Sequence, residues 1–205
     1  MAVTVVDIGV SNIASVVNAL RYVGTDVLVT RDPEVVSNAD KLVLPGVGAF
    51  NAGYDALEKN QLAEPIRRHA GVEQKPLLGI CLGMQMLATV SEEDGEFAGL
   101  DLIPGRVTSL VADMPGYRVP NIGWCNISAN NTNTLIPEAV KNLSFYHVHS
   151  YYFKPESPQV VVATIEFSGR DVPVMVQHNN IFGVQFHPEK SQDNGLDLLN
   201  QFNQL

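Results

Sequence analysis

Residues 75–87, KPLLGICLGMQML, constrain this chain more than any other stretch. Leu77, Leu78 and Ile80 form an apolar run short enough for a buried parallel strand. Gly79-Ile80-Cys81-Leu82-Gly83 interrupts the run, and Met84 to Ala88 reads as the start of a helix. A strand that reverses sharply into a helix over G-x-C-x-G thrusts its central side chain outward, which is a nucleophile elbow with sulfur in place of oxygen. Glycines flank the cysteine because so tight a reversal leaves no room for side chains. The helix starting after Cys81 brings its positive end beside the sulfur and favours thiolate, the form that attacks. Cysteine is also a common core residue, so the motif gains its meaning from the rest of the chain.

The 205 residues, 45% of them hydrophobic, suit one domain spanning 1–205. No window approaches the roughly 20 apolar residues of a membrane span. The start, MAVTVVDIG, lacks a basic region and reads as a strand rather than a signal peptide. Two cysteines make neither a disulfide framework nor a zinc cluster, so a reducing cytoplasm is the expected setting and no metal is expected. A net charge of −9 argues against a general nucleic-acid binder.

Along the chain, Val3 to Val6 is a β-branched run ending at Asp7-Ile8-Gly9, and Ser11 is placed to cap a helix reaching Tyr22. Asp26 to Thr30 reads as a strand, Pro33 to Asn38 as a short helix and Lys41 to Leu44 as a third strand. Helical patterns cover Ala49 to Leu57 and Gln61 to Ala70. Alternation at this spacing predicts βαβ units, a parallel sheet, and a ligand crevice at the carboxyl ends of the strands. Pro45-Gly46-Val47-Gly48 follows the third strand. Alone it is a tight turn. Beside an elbow it becomes a source of oxyanion donors, with Leu82 supplying one N–H and Gly46 or Val47 the other. Two glycines in four residues also allow a peptide flip, and hence a two-state loop.

After the elbow, Ser91 to Glu96 is acidic and reads as solvated surface. Arg106 to Val111 and Tyr117 to Val119 read as strands, and Asn126 to Asn133 as a loop. Phe145 to Tyr152 reads as one strand, with His147 and His149 on one face but no third metal ligand near them. Val160 to Glu166, Val172 to Gln177 and Ile181 to Gln185 complete a strand-rich second half, with a hairpin turn at Asn179-Asn180. The last strand runs out at Gln185-Phe186-His187-Pro188-Glu189, before a helix from Gly195 to Phe202. A thiol on an elbow lacks a base. His187 at a late strand end fills that role, with Glu189 to fix its tautomer.

With Gly79-Ile80-Cys81-Leu82-Gly83-Met84-Gln85 and Gln185-Phe186-His187-Pro188-Glu189 taken together, the chain resembles class I (triad-type) glutamine amidotransferases over essentially its whole length. Within that class it is similar to the glutaminase subunits of imidazole glycerol phosphate synthases. Leu44-Pro45-Gly46-Val47-Gly48, Leu102-Ile103-Pro104-Gly105, Val148-His149-Ser150-Tyr151 and His187-Pro188-Glu189-Lys190-Ser191 carry the narrower likeness. The resemblance implies a three-layer α/β domain with a central, mostly parallel sheet and hydrolysis of glutamine through a Cys81 thioester. It implies His187 and Glu189 as the other triad members, 45–48 as the oxyanion strand, and Gln85, Glu93, Ser150 and Tyr151 as glutamine-holding residues. For Glu93 this displaces the surface reading. No cofactor is implied.

Free ammonia protonates and diffuses away in water, so a second active site should receive it. In the resembling enzymes that is a (β/α)8 cyclase, which makes imidazole glycerol phosphate and the AICAR by-product of histidine biosynthesis. Asn12, Asn121 to Trp124 and Lys190 correspond to the face that meets it. Three departures lie on that face: Asp7-Ile8-Gly9 for the usual Asp-Tyr-Gly, Ser11-Asn12 for a glycine-asparagine pair, and Pro120-Asn121-Ile122-Gly123-Trp124-Cys125 in the interface loop. They leave room for a paralogous glutaminase serving a cyclase-like barrel in amidino-sugar glycan synthesis. Two further readings stand apart from them: a stand-alone cysteine hydrolase, which would give the glutamine-holding residues no purpose, and a non-catalytic regulatory subunit, which an intact Cys81, His187 and Glu189 argue against.

Overall fold

The computed structural model describes residues 2–9, 11–113, 119–129, 134–136 and 143–205. The first half alternates as its apolar runs predict: β1 (Val3–Val6), α1 (Ile13–Tyr22), β2 (Val27–Thr30), α2 (Pro33–Ser37), β3 (Lys41–Gly46), α3 (Phe50–Lys59), α4 (Ala63–Arg67) and β4 (Leu77–Cys81). Helix α4 continues into a π-turn over Arg68–Val72. A one-turn helix, α5 (Leu82–Gln85), follows β4 directly. Then come β5 (Val90–Ser91), β6 (Phe97–Ala98), β7 (Gly105–Ser109), α6 (Leu110–Asp113), β8 (Asn121–Asn126), β9 (Ser128–Ala129), β10 (Ser144–His149) and β11 (Tyr151–Pro155). The chain closes with β12 (Val161–Phe167), β13 (Arg170–His178), β14 (Ile181–Val184) and α7 (Gln192–Gln204).

Eight strands form the central sheet in the order β2-β1-β3-β4-β14-β13-β12-β9. The five from β2 to β14 are parallel, and β13, β12 and β9 extend the sheet antiparallel. Period-two alternation sorts their side chains to two faces. Val43, Leu78 and Ile80 join Leu20 of α1 and Leu199 and Phe202 of α7 in one core. Leu42, Leu44 and Leu77 face the other core with Phe50 and Leu57 of α3 and Ile66 of α4. The sheet is therefore covered on both sides, which gives the three-layer α/β architecture implied by the strand-helix alternation. Among the described residues no helix is long and apolar enough to cross a membrane.

Several local expectations change. The elbow helix stops at Gln85 instead of running through Ala88. The carbonyls a longer helix would use accept across the turn instead, Met86 from Leu100 N–H at 2.8 Å, Leu87 from Leu102 at 2.9 Å and Ala88 from Asp101 at 3.0 Å. Residues 145–152 are two strands. The chain bends at Ser150 because β10 pairs with β8 while β11 pairs with β7 in a separate sheet of order β11-β7-β5-β6. The stretch 121–126 is a strand rather than a loop, fully registered against β10. Ser11 caps nothing, since α1 has Asn12 at its N-cap and no side-chain cap bond. The expectations for 114–118 and 130–133 lie outside the described residues.

Candidate active site

The sheet order explains the site. Strands β4 and β14 are parallel neighbours, Ile80 beside Val184, so residues just past their carboxyl ends share one crevice. Cys81 ends β4 with φ +54° and ψ −109°, a conformation that strains any residue other than glycine. Two glycines hold it there. A Cβ on Gly83 would lie 1.7 Å from the Leu44 carbonyl oxygen, and one on Gly79 would lie 2.7 Å from the Gly83 carbonyl carbon. Strand β4 can fold back against its own helix only if both positions lack side chains. As the first residue of α5, Leu82 has an N–H with no intrahelical acceptor.

Beyond β14, Pro188–Lys190 forms a single 3-10 turn that brings Glu189 back against the ring of His187. Nδ1 of His187 lies 2.8 Å from Glu189 Oε1, with both side chains almost wholly buried. The backbone of His187 is clamped on each side: its N–H donates to the Tyr146 carbonyl at 3.0 Å, and its carbonyl accepts from Ser191 Oγ at 2.6 Å. The Tyr146 N–H in turn donates to that same Ser191 Oγ at 3.0 Å. Nε2 of His187 carries no hydrogen bond and is buried, with Cys81 lining the same cavity. Burial opposes a charge on this ring, but the Cys81 sulfur and the Glu189 carboxylate outweigh it and raise its pKa to about 9. At neutral pH His187 thus holds a proton beside the sulfur.

A cavity of about 320 Å³ opens over Cys81, Leu82 and His187, and Val47, Gly48, Gln85, Glu93, Ser150 and Tyr151 line it as well. Gly46 pairs in register with Cys81, and Gly48 at φ +100° turns the chain from β3 toward α3. Glu93 is half-buried rather than solvated. Its Oε2 accepts the Phe50 N–H at the start of α3 at 2.8 Å, while burial raises its pKa. Gln85 Nε2 donates to the Tyr151 carbonyl at 3.1 Å and to Gln185 Oε1 at 3.2 Å. Gln185 Nε2 donates to Cys81 Sγ at 3.7 Å. The Tyr151 carbonyl also takes Nδ1 of His149 at 2.9 Å.

The crevice thus brings together Cys81, His187, Glu189, Gly46, Val47, Leu82, Gln85, Glu93, Ser150 and Tyr151. It does not include Asn12, Trp124 or Lys190. Trp124 packs edge-on against Tyr146, with centroids 6.2 Å apart, and Lys190 Nζ lies 5.9 Å from the centre of the same Tyr146 ring. With Ile122, 61% exposed, they form a surface beside the crevice. Asn121, expected on that surface, bonds inward, its Nδ2 lying 3.3 Å from His149 Nε2. Among the described residues no group of three or more His, Cys, Asp or Glu side chains that could hold a metal ion occurs, and none forms around His147 and His149. Burial, then the neighbouring histidines, lower the pKa of His147 to about 3. Burial likewise lowers that of His149 to about 4, so both rings are neutral.

Sequence reasoning left Gln185, His149 and Ser191 without roles. Gln185 had a signal: a wholly buried amide in the otherwise apolar run Ile181–Phe186. Ser191 had none, because the strand whose N–H it accepts, at Tyr146, lies 45 residues earlier in the chain.

Residues 4–204 match the family "Glutamine amidotransferase class-I". The chain is 44% identical, over 99% of its length and 100% of the relative, to "Imidazole glycerol phosphate synthase subunit HisH" of Syntrophotalea carbinolica. It is 43% identical, over 99% of its length and 94% of the relative, to the protein of that name in Moorella thermoacetica. Among solved structures, one titled "Crystal structure of glutamine amidotransferase" aligns over 100% of both chains with a TM-score of 0.77 at 18% identity. The structure of PurLQS from Thermotoga maritima aligns over 98% of this chain and 96% of its own with a TM-score of 0.76 at 17% identity. At those identities the structures support the fold.

Proposed function

This chain belongs to the class I glutamine amidotransferases, and from that premise we propose that it is the glutaminase subunit of an imidazole glycerol phosphate synthase, acting through Cys81, His187 and Glu189. The observation that carries the chemistry is their placement: Cys81 ends β4, His187 lies just past the end of its parallel neighbour β14, and Glu189 lies 2.8 Å from the far side of the imidazole. Cys81 Sγ attacks the carboxamide carbon of glutamine. The carbonyl oxygen gains charge and is met by the N–H of Leu82 and one from the Gly46-Val47 loop. As the C–N bond breaks, the proton on His187 passes to the departing nitrogen and ammonia leaves a thioester. Water then attacks that carbon and gives a proton to His187. The C–S bond breaks, and glutamate and the starting enzyme are restored.

Gln85, Glu93, Ser150 and Tyr151 hold the substrate, with the Glu93 carboxylate suited to an ammonium group. The relatives' names describe a subunit, which fits a chain whose product must be delivered before it protonates in water. Ammonia passes to a (β/α)8 cyclase that docks on the Trp124–Lys190 face, and glutaminase turnover is low until that partner and its ribonucleotide ligand are present. The test is ammonia release from glutamine by the purified chain, with and without the cyclase of the same genome and its ligand, beside Cys81→Ala. Strong stimulation that disappears in the variant is the expected result. Rapid turnover by the isolated chain would refute the coupling, and activity retained by Cys81→Ala would refute the thioester.

A further inference from the structure

We infer that Gln185 is a positioning residue that keeps an N–H donor on the Cys81 sulfur, in an orientation dictated by one main-chain carbonyl; the proposal rests on the glutaminase reading above. Gln185 is wholly buried, in line with Ile181, Phe182, Val184 and Phe186. Its backbone N–H is satisfied by the Val174 carbonyl at 2.9 Å. An amide left unpartnered there would cost about 1–3 kcal/mol, so its side chain needs partners. It has two: Gln85 and the nucleophile.

Amide ends are told apart by what they meet, and here the chain of contacts leaves no choice. The Tyr151 carbonyl can only accept, so the end of Gln85 that lies 3.1 Å from it is the amino group. The second hydrogen of that nitrogen points to Gln185 at 3.2 Å, which makes the near end of Gln185 its oxygen. The far end, 3.7 Å from Cys81 Sγ, is therefore the donor. His149 Nδ1, 2.9 Å from the same carbonyl, occupies its second lone pair and leaves no room for an inverted arrangement. Two consequences follow. An N–H fixed on the sulfur stabilises negative charge there and holds its direction toward the cavity. Gln85 has spent both hydrogens inside the protein, so it presents only its carbonyl oxygen to the substrate, an acceptor matched to an amide or ammonium N–H.

The test alkylates the full chain with iodoacetamide across pH 5.5 to 9 and follows Cys81 and Cys125 separately by peptide mass mapping, for wild type and Gln185→Met. Methionine keeps the volume and removes the donor. Cys81 in Gln185→Met should react about tenfold more slowly at pH 7 with its profile moved alkaline, while Cys125 and the unfolding temperature stay as in wild type. With the partner present, kcat for glutamine should fall more than KM rises. A folded Gln185→Met chain that alkylates at the wild-type rate and pH profile overturns the proposal. If methionine prevents folding, the isosteric Gln185→Glu is read the same way: a carboxylate facing the sulfur should slow alkylation further, and a wild-type rate overturns the role. Alkylation does not depend on glutamine hydrolysis. An altered profile in a protein whose wild type releases no ammonia even with the cyclase and its ligand present would refute the glutaminase reading and leave the positioning role standing.

Discussion

His187 has its charge set by two neighbours rather than by solvent. Burial works against the imidazolium, yet the Cys81 sulfur and Glu189 raise its pKa to about 9, above the ordinary 6.5. A base raised in the folded state adds stability that is fully present below pH 6.5 and lost as the pH climbs through about 9. The melting-temperature gap between wild type and His187→Gln, recorded from pH 6 to 10, should therefore shrink over that window. In the proposed mechanism the same proton passes to the leaving nitrogen, so kcat/KM for glutamine should decline on an alkaline limb near pH 9. His147 and His149, which follow Phe145 on the buried face of β10, behave oppositely because burial dominates and no carboxylate among the described residues offsets it. A histidine's neighbours, not its spacing in the chain, separate His187 from the two neutral rings.

At the scale of elements, the β4-turn-α5 unit holds Cys81 by close backbone contact. Leu44 belongs to β3, and its carbonyl occupies the space a Cβ on Gly83 would need, 1.7 Å away. A backbone carbonyl locked in a central strand cannot swing aside as a side chain end can. Gly83→Ala should cost about 3 kcal/mol, the upper end of the usual overpacking range, measured as a lower urea midpoint at unchanged slope. The glycine spacing around Cys81 was legible as an elbow in the chain itself. The length of the helix behind it was not, because its carbonyls are claimed by residues 100–102, whose approach depends on the separate small sheet. The break at Ser150 has the same origin: β10 and β11 answer to different partner strands.

For the molecule as a whole, the crevice and the Trp124–Tyr146–Lys190 surface share strand β10. Its side chains alternate between a buried row ending in His149 and an outward row containing Tyr146. A partner docked on the outward row would lie directly over the strand whose main chain holds His187. Trp124, 49% exposed, should be a main contributor to docking. Trp124→Ala is expected to weaken the cyclase complex about tenfold or more, read by calorimetric titration. The melting temperature of the isolated chain should change little, since the substitution sits on an open surface.

What the sequence determined by itself was the local chemistry: an elbow with a cysteine at its point, a histidine and carboxylate after the last strand, and a parallel sheet to present them. Each rests on spacing within a few residues, where period, glycine and proline act directly on the backbone. Only the tertiary structure decided which residues serve that chemistry from a distance. Strand order set Val184 beside Ile80 and so His187 near Cys81, across more than 100 residues of chain. The same convergence turned Glu93 from an acidic loop residue into a half-buried cavity wall, drew Asn121 inward to His149, and placed Gln185 on the sulfur. The physical reason is that a buried polar atom must find a partner wherever packing puts one, and packing is a property of the folded whole.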